Sequence, residues 1–246
     1  MITRAEVAKL GALHAVEPTM LSLYLTVPPS PADLSSLTAQ ADELIAGAET
    51  ACRAGQPVAA ECRNSVREKL APCARVSPGY TVAIFACAGS GLLEAITLPC
   101  PMPERGVLGI RPHIRPLLAA LERCPADNAR RAELRARRLA DEILAMPPGG
   151  LAAVGLPACL AAVSAGAVQT LVVPRDGLVP GYECGRCGAL SLDACGCPDW
   201  GTAPLPVPDV IEEMVSRTLE DGGEISVICD RSSPPAARLH FPVPRP

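Results

Sequence analysis

The sequence predicts an α/β protein made of two small α/β domains, at residues 1–125 and 126–246. Short apolar segments rich in Val, Leu and Ile alternate with segments whose apolar residues recur every three to four positions, as strands alternate with helices. Cys124 and Pro125 interrupt the chain near its midpoint, and both patterns occur on either side of them. With 246 residues and 49% hydrophobic content, the chain is long enough for two ordinary domain cores.

The elements of the first domain follow from caps, apolar runs and turns. Thr3 and Glu6 form a capping box, and the helical spacing of Val7, Leu10, Gly11 and His14 predicts an opening helix that continues up to Pro18. The apolar run Met20–Val27 predicts a buried strand, and a Gly-rich turn at 88–91 predicts a hairpin between strands at 81–87 and 92–98. The remaining predicted elements are helices at 34–54 and 58–70, a strand at 107–110 and a helix at 114–123.

The second domain is predicted to open with a helix at 127–146. Ala132, Ala136 and Ile143 are among the apolar residues that step along it by three and four, which places them on one face. The later elements are predicted as strand 151–154, helix 157–165, strand 168–173, a Cys-rich insert at 180–201, helix 209–221, strand 224–229 and strand 238–243.

Charge and composition exclude several classes of function. The chain has 22 basic and 26 acidic residues, so no long-range attraction draws it to nucleic acid or anionic lipid. Only three Tyr, two Phe and one Trp are present, too few for a base-stacking platform. Residues 150–246 carry 6 basic and 11 acidic groups, so this part is expected to meet a basic protein.

The chain is expected to be cytoplasmic, without a membrane span. Its first residues lack the pattern of a signal peptide. The uncharged stretch 147–174 is long enough to cross a bilayer, but its many Ala, Gly and Pro residues fit strand, helix and strand better. The twelve cysteines are therefore expected to be reduced.

Four cysteines have the spacing of a metal site. Cys184 and Cys187 are separated by two residues, and the neighbouring glycines permit a turn that directs two sulfurs at one ion. Cys195 and Cys197 follow with one residue between them. This pattern predicts a structural four-cysteine Zn²⁺ site, with a disulfide pair or redox-active thiols as the alternatives.

Two groups of basic residues are candidate contacts for RNA. The helix at 127–146 carries arginines mostly outside its apolar stripe, where they can face phosphate. Acidic residues of the same helix also allow an ordinary solvated face with i, i+4 pairs, and the smaller group before the helix at 114–123 has the same alternatives. The residues are Arg130, Arg131, Arg135 and Arg138, and Arg111, His113 and Arg115.

No motif predicts catalysis. Ser90 lies between two glycines, but strands are predicted on both sides, whereas a nucleophile elbow needs a strand-to-helix turn. The sequence has no phosphate-binding loop and no dinucleotide fingerprint, and only three histidines are available to activate a cysteine. A protein that is not an enzyme is expected.

The stretch 154–173, VGLPACLAAVSAGAVQTLVV, resembles the C-terminal domain of the archaeal and eukaryotic-type class-1 peptide chain release factors and Pelota. The insert at 180–201 resembles the zinc-ribbon minidomain of that domain, and 209–229 resembles its closing helix and strand. Residues 21–25, 79–98 and 109–118 are similar to the bacterial, Balon-like branch of the superfamily, which includes a hibernation factor. The resemblance covers most of the chain and implies a release-factor-like N-terminal domain followed by a C-terminal domain with a zinc ribbon.

The chain departs from this family in its middle. The family has a central domain with a Gly-Gly-Gln motif, but here Leu121 leads almost directly into the helix before the C-terminal domain, and no Gly-Gly-Gln, Asn-Ile-Lys-Ser or Tyr-Cys motif is present. The resemblance therefore implies a non-catalytic ribosome-associated factor that occupies the A site or the stalk base without hydrolysing peptidyl-tRNA. Its implied partners are rRNA, stalk-base proteins and a translational GTPase, with no small-molecule substrate.

Two other functions are compatible with these residues. One is an adaptor that has lost ribosome binding and uses the zinc ribbon to hold a protein partner. The other is a true release or ribosome rescue factor.

Overall fold

The computed structural model describes residues 2–28, 34–52, 57–73, 76–123, 129–147, 150–195, 197, 201–230 and 233–243. Its contacts divide the chain into two compact units: unit 1 is Met1–Thr3 with Leu13–His113, and unit 2 is Arg4–Ala12 with Ile114–Pro246. Helix α1 (Arg4–Gly11) therefore belongs to unit 2. So does helix α4 (Arg115–Arg123), although the predicted boundary at residue 125 places both helices in the first domain.

Unit 1 is an antiparallel sheet with two helices. The elements are β1 (Met20–Thr26), α2 (Leu34–Ala51), α3 (Ala60–Cys73), β2 (Thr81–Cys87), β3 (Leu92–Leu98) and β4 (Arg105–Gly109). The strands lie in the order β3-β2-β1-β4, and Ser22 of β1 is opposite Phe85 of β2 and Val107 of β4. A single 3-10 turn at Ala88–Ser90 joins β2 to β3, as the predicted hairpin requires.

The core of unit 1 lies between the helices and one face of the sheet. Alternate residues of β1, including Leu21, Leu23 and Leu25, are buried there because successive side chains of a strand point to opposite faces. Helix α2 approaches β4 closely, and a Cβ at Gly106 would overlap the carbonyl oxygen of Leu44. On the other face, Tyr24 and Phe85 make an edge-to-face contact with ring centroids 6.0 Å apart.

Unit 2 is built on a mixed four-stranded sheet. The elements after α4 are α5 (Ala129–Leu144), β5 (Ala152–Val154), α6 (Leu156–Ser164), β6 (Val168–Pro174), β7 (Gly181–Glu183), β8 (Leu190–Ser191), β9 (Leu205–Val207), α7 (Val210–Glu220), β10 (Glu224–Ile228) and β11 (Ala236–Leu239). The strand order in the sheet is β10-β6-β11-β5. Strand β10 is parallel to β6, whereas β11 is antiparallel to both β6 and β5.

Both faces of this sheet are covered. On one face of the sheet, Ala136 and Ile143 of α5 pack with Val172 and Ile228. Leu171 precedes Val172 in β6, so it belongs to the opposite face, and it is also fully buried. Helix α6 contacts β5 and β11 of this sheet, and helix α7 contacts β6 and β10. The α/β class predicted from the sequence is confirmed for the described part of the chain.

Several features differ from the predicted elements: α3 covers Ala60–Cys73 instead of 58–70, and β4 covers Arg105–Gly109 instead of 107–110. Helix α1 ends at Gly11, well before Pro18, and strand β11 begins at Ala236, two residues earlier than predicted. The insert between β6 and α7 contains a three-stranded antiparallel sheet in the order β8-β7-β9, for which no strands were predicted. These strands have two or three residues each, too few for an alternating pattern to be visible.

No helix among the described residues is both long and apolar enough to span a membrane.

Candidate functional site

Three of the four predicted zinc ligands lie together beside the small sheet of unit 2. The Sγ atoms of Cys184, Cys187 and Cys197 all lie within 4.8 Å of one another, and those of Cys187 and Cys197 are 3.5 Å apart. All three are free thiols, so no disulfide joins them here. Cys184 and Cys197 are buried and Cys187 is exposed, so the group is open to solvent on one side.

The first two sulfurs are positioned by a tight turn between β7 and β8. The amide of Gly188 donates a hydrogen bond to the carbonyl oxygen of Cys184 at 2.7 Å, and the amide of Cys184 donates to the carbonyl oxygen of Ala189 at 2.9 Å. Gly188 has a φ of 72°, a left-handed conformation that glycine adopts without steric cost. This turn corresponds to the knuckle predicted from the sequence.

A second turn of the same kind carries the third sulfur. The amide of Gly201 donates to the carbonyl oxygen of Cys197 at 2.7 Å, and the amide of Cys197 donates to the carbonyl oxygen of Thr202 at 3.2 Å. Gly201 has a φ of 60°. Cys197 therefore occupies the place in the second turn that Cys184 occupies in the first.

The surroundings of Cys184 favour its thiolate. Hydrogen bonds to its sulfur from the backbone amide of Cys187, the hydroxyl of Thr202 and the backbone amide of Arg186 lower the pKa of Cys184 to about 6. A thiolate is the form of cysteine that binds metal ions.

A positive charge packs against the first turn. A Cβ at Gly188 would overlap the guanidinium group of Arg217, so this side chain lies directly on the turn that holds Cys184 and Cys187. Arg217 also pairs with Glu183 of β7 at 2.6 Å, which fixes its position.

The fourth predicted ligand, Cys195, is not part of the group. It is exposed, whereas the three grouped cysteines include two buried ones. Residues 196 and 198–200, which flank Cys197, lie outside the described residues.

The three cysteines fit a thiophilic divalent ion such as Zn²⁺. Thiolates that bind zinc tetrahedrally at about 2.3 Å lie roughly 3.8 Å from one another. The spacing of these three sulfurs, all within 4.8 Å, is close to that requirement. Among the described residues, the donors that the structure brings together are three thiols, without a histidine or a carboxylate.

The arginines of α5 form an exposed surface, which we call the arginine face. At 3.6 residues per turn, Arg131, Arg135 and Arg138 lie within an arc of roughly 60°, whose centre is roughly 110° from that of the buried residues Ala132, Ala136 and Ile143. Within the described ranges no carboxylate pairs with an arginine of this face, whereas Arg137 pairs with Glu133 at 3.0 Å. The arginine face consists of Arg130, Arg131, Arg135 and Arg138.

The structure places Arg111 and His113 in unit 1, near its sheet. Arg111 is 9% exposed and His113 is 1% exposed. The backbone of His113 is fixed by two hydrogen bonds: its amide donates to Ser22 Oγ at 2.9 Å, and its carbonyl oxygen accepts from the Tyr24 hydroxyl at 2.6 Å. Neither side chain is on an open basic surface.

Arg115, one of the predicted RNA contacts, is fully buried inside unit 2. Its guanidinium group pairs with Asp209 and, at 3.1 Å, with Glu212. It also donates to the carbonyl oxygens of Pro174 at 2.8 Å and Gly177 at 2.7 Å. The side chain of Arg115 therefore connects α4 to the end of β6 and the start of α7.

Sequence reasoning did not identify the acidic partners of Arg115. Asp209 accepts a hydrogen bond from the amide of Ile211 and so caps α7, a role that its position before an apolar run does indicate. The second role of Asp209, and that of Glu212, depends on an arginine more than ninety positions earlier, which no local pattern can show.

The chain shows low similarity to solved structures from archaea. The C-terminal domain of a peptide chain release factor from Methanosarcina mazei matches with a TM-score of 0.34 and 15% identity, over 51% of this chain and 94% of that chain. The archaeal translation termination factor aRF1 matches with a TM-score of 0.28 and 12% identity, over 98% of this chain and 99% of that chain. A structure described as an archaeal protein gives a TM-score of 0.28 and 12% identity, over 99% of each chain.

No protein-family model and no curated protein matches the sequence. Similarities of this size define no function.

A cysteine substitution tests the metal site. Changing Cys184→Ser is expected to lower bound zinc well below one equivalent per chain, because it removes one of three convergent thiolates. Metal content of the purified protein is measured by plasma mass spectrometry. The control is Cys52→Ser, which changes a buried cysteine of unit 1 that packs in an apolar core. Equal zinc loss in the two variants would contradict the assignment.

Proposed function

We propose that this chain is a non-catalytic, ribosome-associated translation factor similar to class-1 peptide chain release factors. It occupies the A site or the stalk base, contacts rRNA through the arginine face, and carries a structural zinc ion on Cys184, Cys187 and Cys197. The order of elements in unit 2 supports this proposal: strand β5, helix α6, strand β6, a cysteine-bearing insert, helix α7 and strand β10 follow one another as the sequence resemblance implies.

The observation that carries the proposal is the arginine face. Other basic side chains of unit 2, such as Arg175, Arg217 and Arg238, pair with a carboxylate. The four arginines of the arginine face pair with none among the described residues, whereas Arg137, the fifth arginine of α5, pairs with Glu133. Exposed guanidinium groups without acidic partners, aligned on one helix, are suited to the phosphates of a folded RNA.

Binding RNA through the arginine face is compatible with the mildly acidic net charge of the whole chain. A net charge of −4 provides no long-range attraction to RNA, so binding depends on local contacts. Each phosphate contact makes affinity more dependent on salt, and the complex is expected to form at low ionic strength and weaken as salt is added.

The proposal is tested by sedimentation with purified ribosomes through a sucrose cushion. The protein is expected to pellet with ribosomes at low salt and to be released as salt rises. Protein that stays in the supernatant at every salt concentration would contradict ribosome binding.

The absence of hydrolysis is a separate expectation. The sequence contains no Gly-Gly-Gln, so no residue of the chain matches the group that positions water in the release factors. We expect no hydrolysis of peptidyl-tRNA above background when the protein is added to stalled ribosomes. Turnover above background would identify a release or rescue factor instead.

An adaptor that does not bind ribosomes is the second candidate. Leu178, Leu192 and Leu205 lie in or next to the cysteine-bearing insert and are each 38–40% exposed, which favours contact with a protein. A pull-down from lysate separates the two functions, because ribosomal proteins are expected to dominate only if the chain is a ribosome-associated factor.

A further inference from the structure

The charges of helix α5 are not arranged to stabilise the helix. Arg131 stands four residues before Arg135, and Arg135 stands three residues before Arg138, so arginines neighbour one another along one face. Like charges at these spacings destabilise a helix. The last turn of α5 contains no basic residue, although cations are favoured at the negative end of the helix dipole. Helix stability therefore does not explain this distribution of arginine.

The acidic end of the helix does not neutralise the arginine face. Glu142 follows Arg138 by four residues, which is the spacing of a helical ion pair. Its carboxylate instead pairs with Arg238 of β11 at 3.0 Å. All four side chains of the arginine face are exposed, so their guanidinium groups are available to an anion from solution.

We infer that the arginine face binds double-helical RNA through the phosphates beside its shallow minor groove, without reading base sequence. This inference rests on the proposed ribosome association and names the form of RNA that the surface recognises.

The spacing of the arginines favours a double helix over a single strand. Arg131 and Arg138 are separated by about 10 Å along the axis of α5, at roughly 1.5 Å per residue. A nucleic-acid double helix carries one phosphate charge per roughly 1.7 Å of its axis, twice the density of either strand alone. A row of guanidinium groups of this length therefore meets more phosphates, and releases more counterions, on a duplex.

Helix α5 supplies charge without the side chains that hold unpaired bases. Its sequence, ARRAELRARRLADEIL, contains no aromatic residue, asparagine, glutamine or histidine. Proteins that bind single strands stack successive bases on aromatic rings, and asparagine or glutamine reads adenine through paired hydrogen bonds. The contact is therefore expected to depend on phosphate positions and not on base sequence.

The packing of α5 favours A-form RNA over B-form DNA. The helix contacts β5, β10 and β11, and Ala136 and Ile143 pack it against the sheet. The major groove of B-form DNA is roughly 8.5 Å deep and is read by a helix that projects into it. The minor groove of A-form RNA is wide and shallow, so a helix held against a sheet can reach phosphates on its surface.

The charge of the whole chain favours RNA over an acidic polypeptide. A net charge of −4 repels any polyanion at long range. RNA offsets this repulsion because arginine contacts release the counterions that are condensed on its phosphates. An acidic polypeptide has a lower charge density and fewer condensed counterions to release.

Fluorescence anisotropy with labelled probes tests the inference on the full chain at low salt. The probes are two RNA duplexes of unrelated sequence, one strand of the first duplex, a DNA duplex of the same sequence, and polyglutamate. The two RNA duplexes are expected to bind equally. Each is expected to bind at least about tenfold more tightly than the single strand, the DNA duplex or polyglutamate.

A neutral variant locates the contact on α5. The combination of Arg131→Gln, Arg135→Gln and Arg138→Gln is expected to lower affinity for the RNA duplex by more than about tenfold. Its melting temperature is expected to stay the same or increase, because like-charged neighbours are removed and glutamine has a helix propensity similar to that of arginine. A control variant removes three exposed basic residues from other helices and is expected to keep duplex binding: Lys9→Gln, Arg67→Gln and Lys69→Gln.

Several outcomes would overturn the inference. Binding of the single strand, the DNA duplex or polyglutamate as tightly as the RNA duplex would show that the surface does not select double-helical RNA. A strong preference between the two RNA sequences would mean that bases are read, and full duplex binding by the α5 variant would place the contact elsewhere. Absence of binding to every probe would also overturn it.

Sedimentation of the same preparations with ribosomes separates these failures from a failure of the proposed function. A chain that pellets with ribosomes but shows no preference for duplex RNA is still a ribosome-associated factor, with a different kind of contact. A chain that neither pellets with ribosomes nor binds duplex RNA contradicts both the inference and the proposed function.

Discussion

Replacing Arg115 with alanine is expected to lower the free energy of unfolding of unit 2 by about 3–5 kcal/mol. The guanidinium group is fully buried and pairs with Asp209 and Glu212, whose side chains are 1% and 4% exposed. Removing it leaves two carboxylates without their counter-charge in the interior. The carbonyl oxygens of Pro174 and Gly177 also lose the hydrogen bonds that the guanidinium group donates to them.

The magnitude follows from an asymmetry between forming and breaking buried ion pairs. A buried pair adds little net stability, because desolvation offsets much of its Coulomb attraction. Truncating one member is costly because the remaining charge stays desolvated without compensation. Arg115 is the counter-charge of two buried carboxylates. Arg115→Ala is therefore expected to lower the free energy of unfolding more than the loss of an exposed ion pair would.

Urea denaturation followed by circular dichroism measures the effect of Arg115→Ala. The matched control is Arg138→Ala, an exposed arginine of α5, for which a change within about 0.5 kcal/mol is expected. Arg115→Lys is expected to fall between the two, because an ammonium group keeps the charge but cannot reach all four acceptors in a planar geometry. A loss below about 1 kcal/mol for Arg115→Ala would show that this network does not hold unit 2 together.

Sequence reasoning predicted best where one periodic pattern decided the structure. The helix at 127–146 was predicted from apolar residues three and four apart, and Ala132, Ala136 and Ile143 are indeed its buried residues. The hairpin of β2 and β3 was predicted from a Gly-rich turn between two apolar strands. In both cases the information is contained within about twenty consecutive residues.

The sequence was less informative where distant segments meet. Arg115 stands next to other basic residues in the sequence, which favoured a surface role, yet its partners come from residues 174–212 and enclose it. In the metal site, the spacing in the sequence predicts both Cys195 and Cys197 as ligands and does not distinguish between them. Only the folded turn shows that Cys197 corresponds to Cys184 and that Cys195 lies outside the group.

Reversing the charge of the arginine face is expected to weaken ribosome binding by more than about tenfold. The variant combines Arg131→Glu, Arg135→Glu and Arg138→Glu, three exposed positions on one side of α5. If each arginine contacts one phosphate, the loss of three contacts lowers the slope of log affinity against log salt by about 2–3. Arg and Glu have similar helix propensities, so the helix itself is expected to remain, which circular dichroism verifies.

The control for this variant carries the same change of charge elsewhere. Lys9→Glu, Arg67→Glu and Lys69→Glu also replace three exposed basic residues, so total charge changes equally while the arginine face is kept. Sedimentation with ribosomes at several salt concentrations is expected to show a large loss of affinity and a shallower salt dependence only for the α5 variant. If both variants lose affinity equally, binding depends on total charge and not on this helix. If neither loses affinity, the arginines of α5 form a solvated surface and the proposed rRNA contact is wrong.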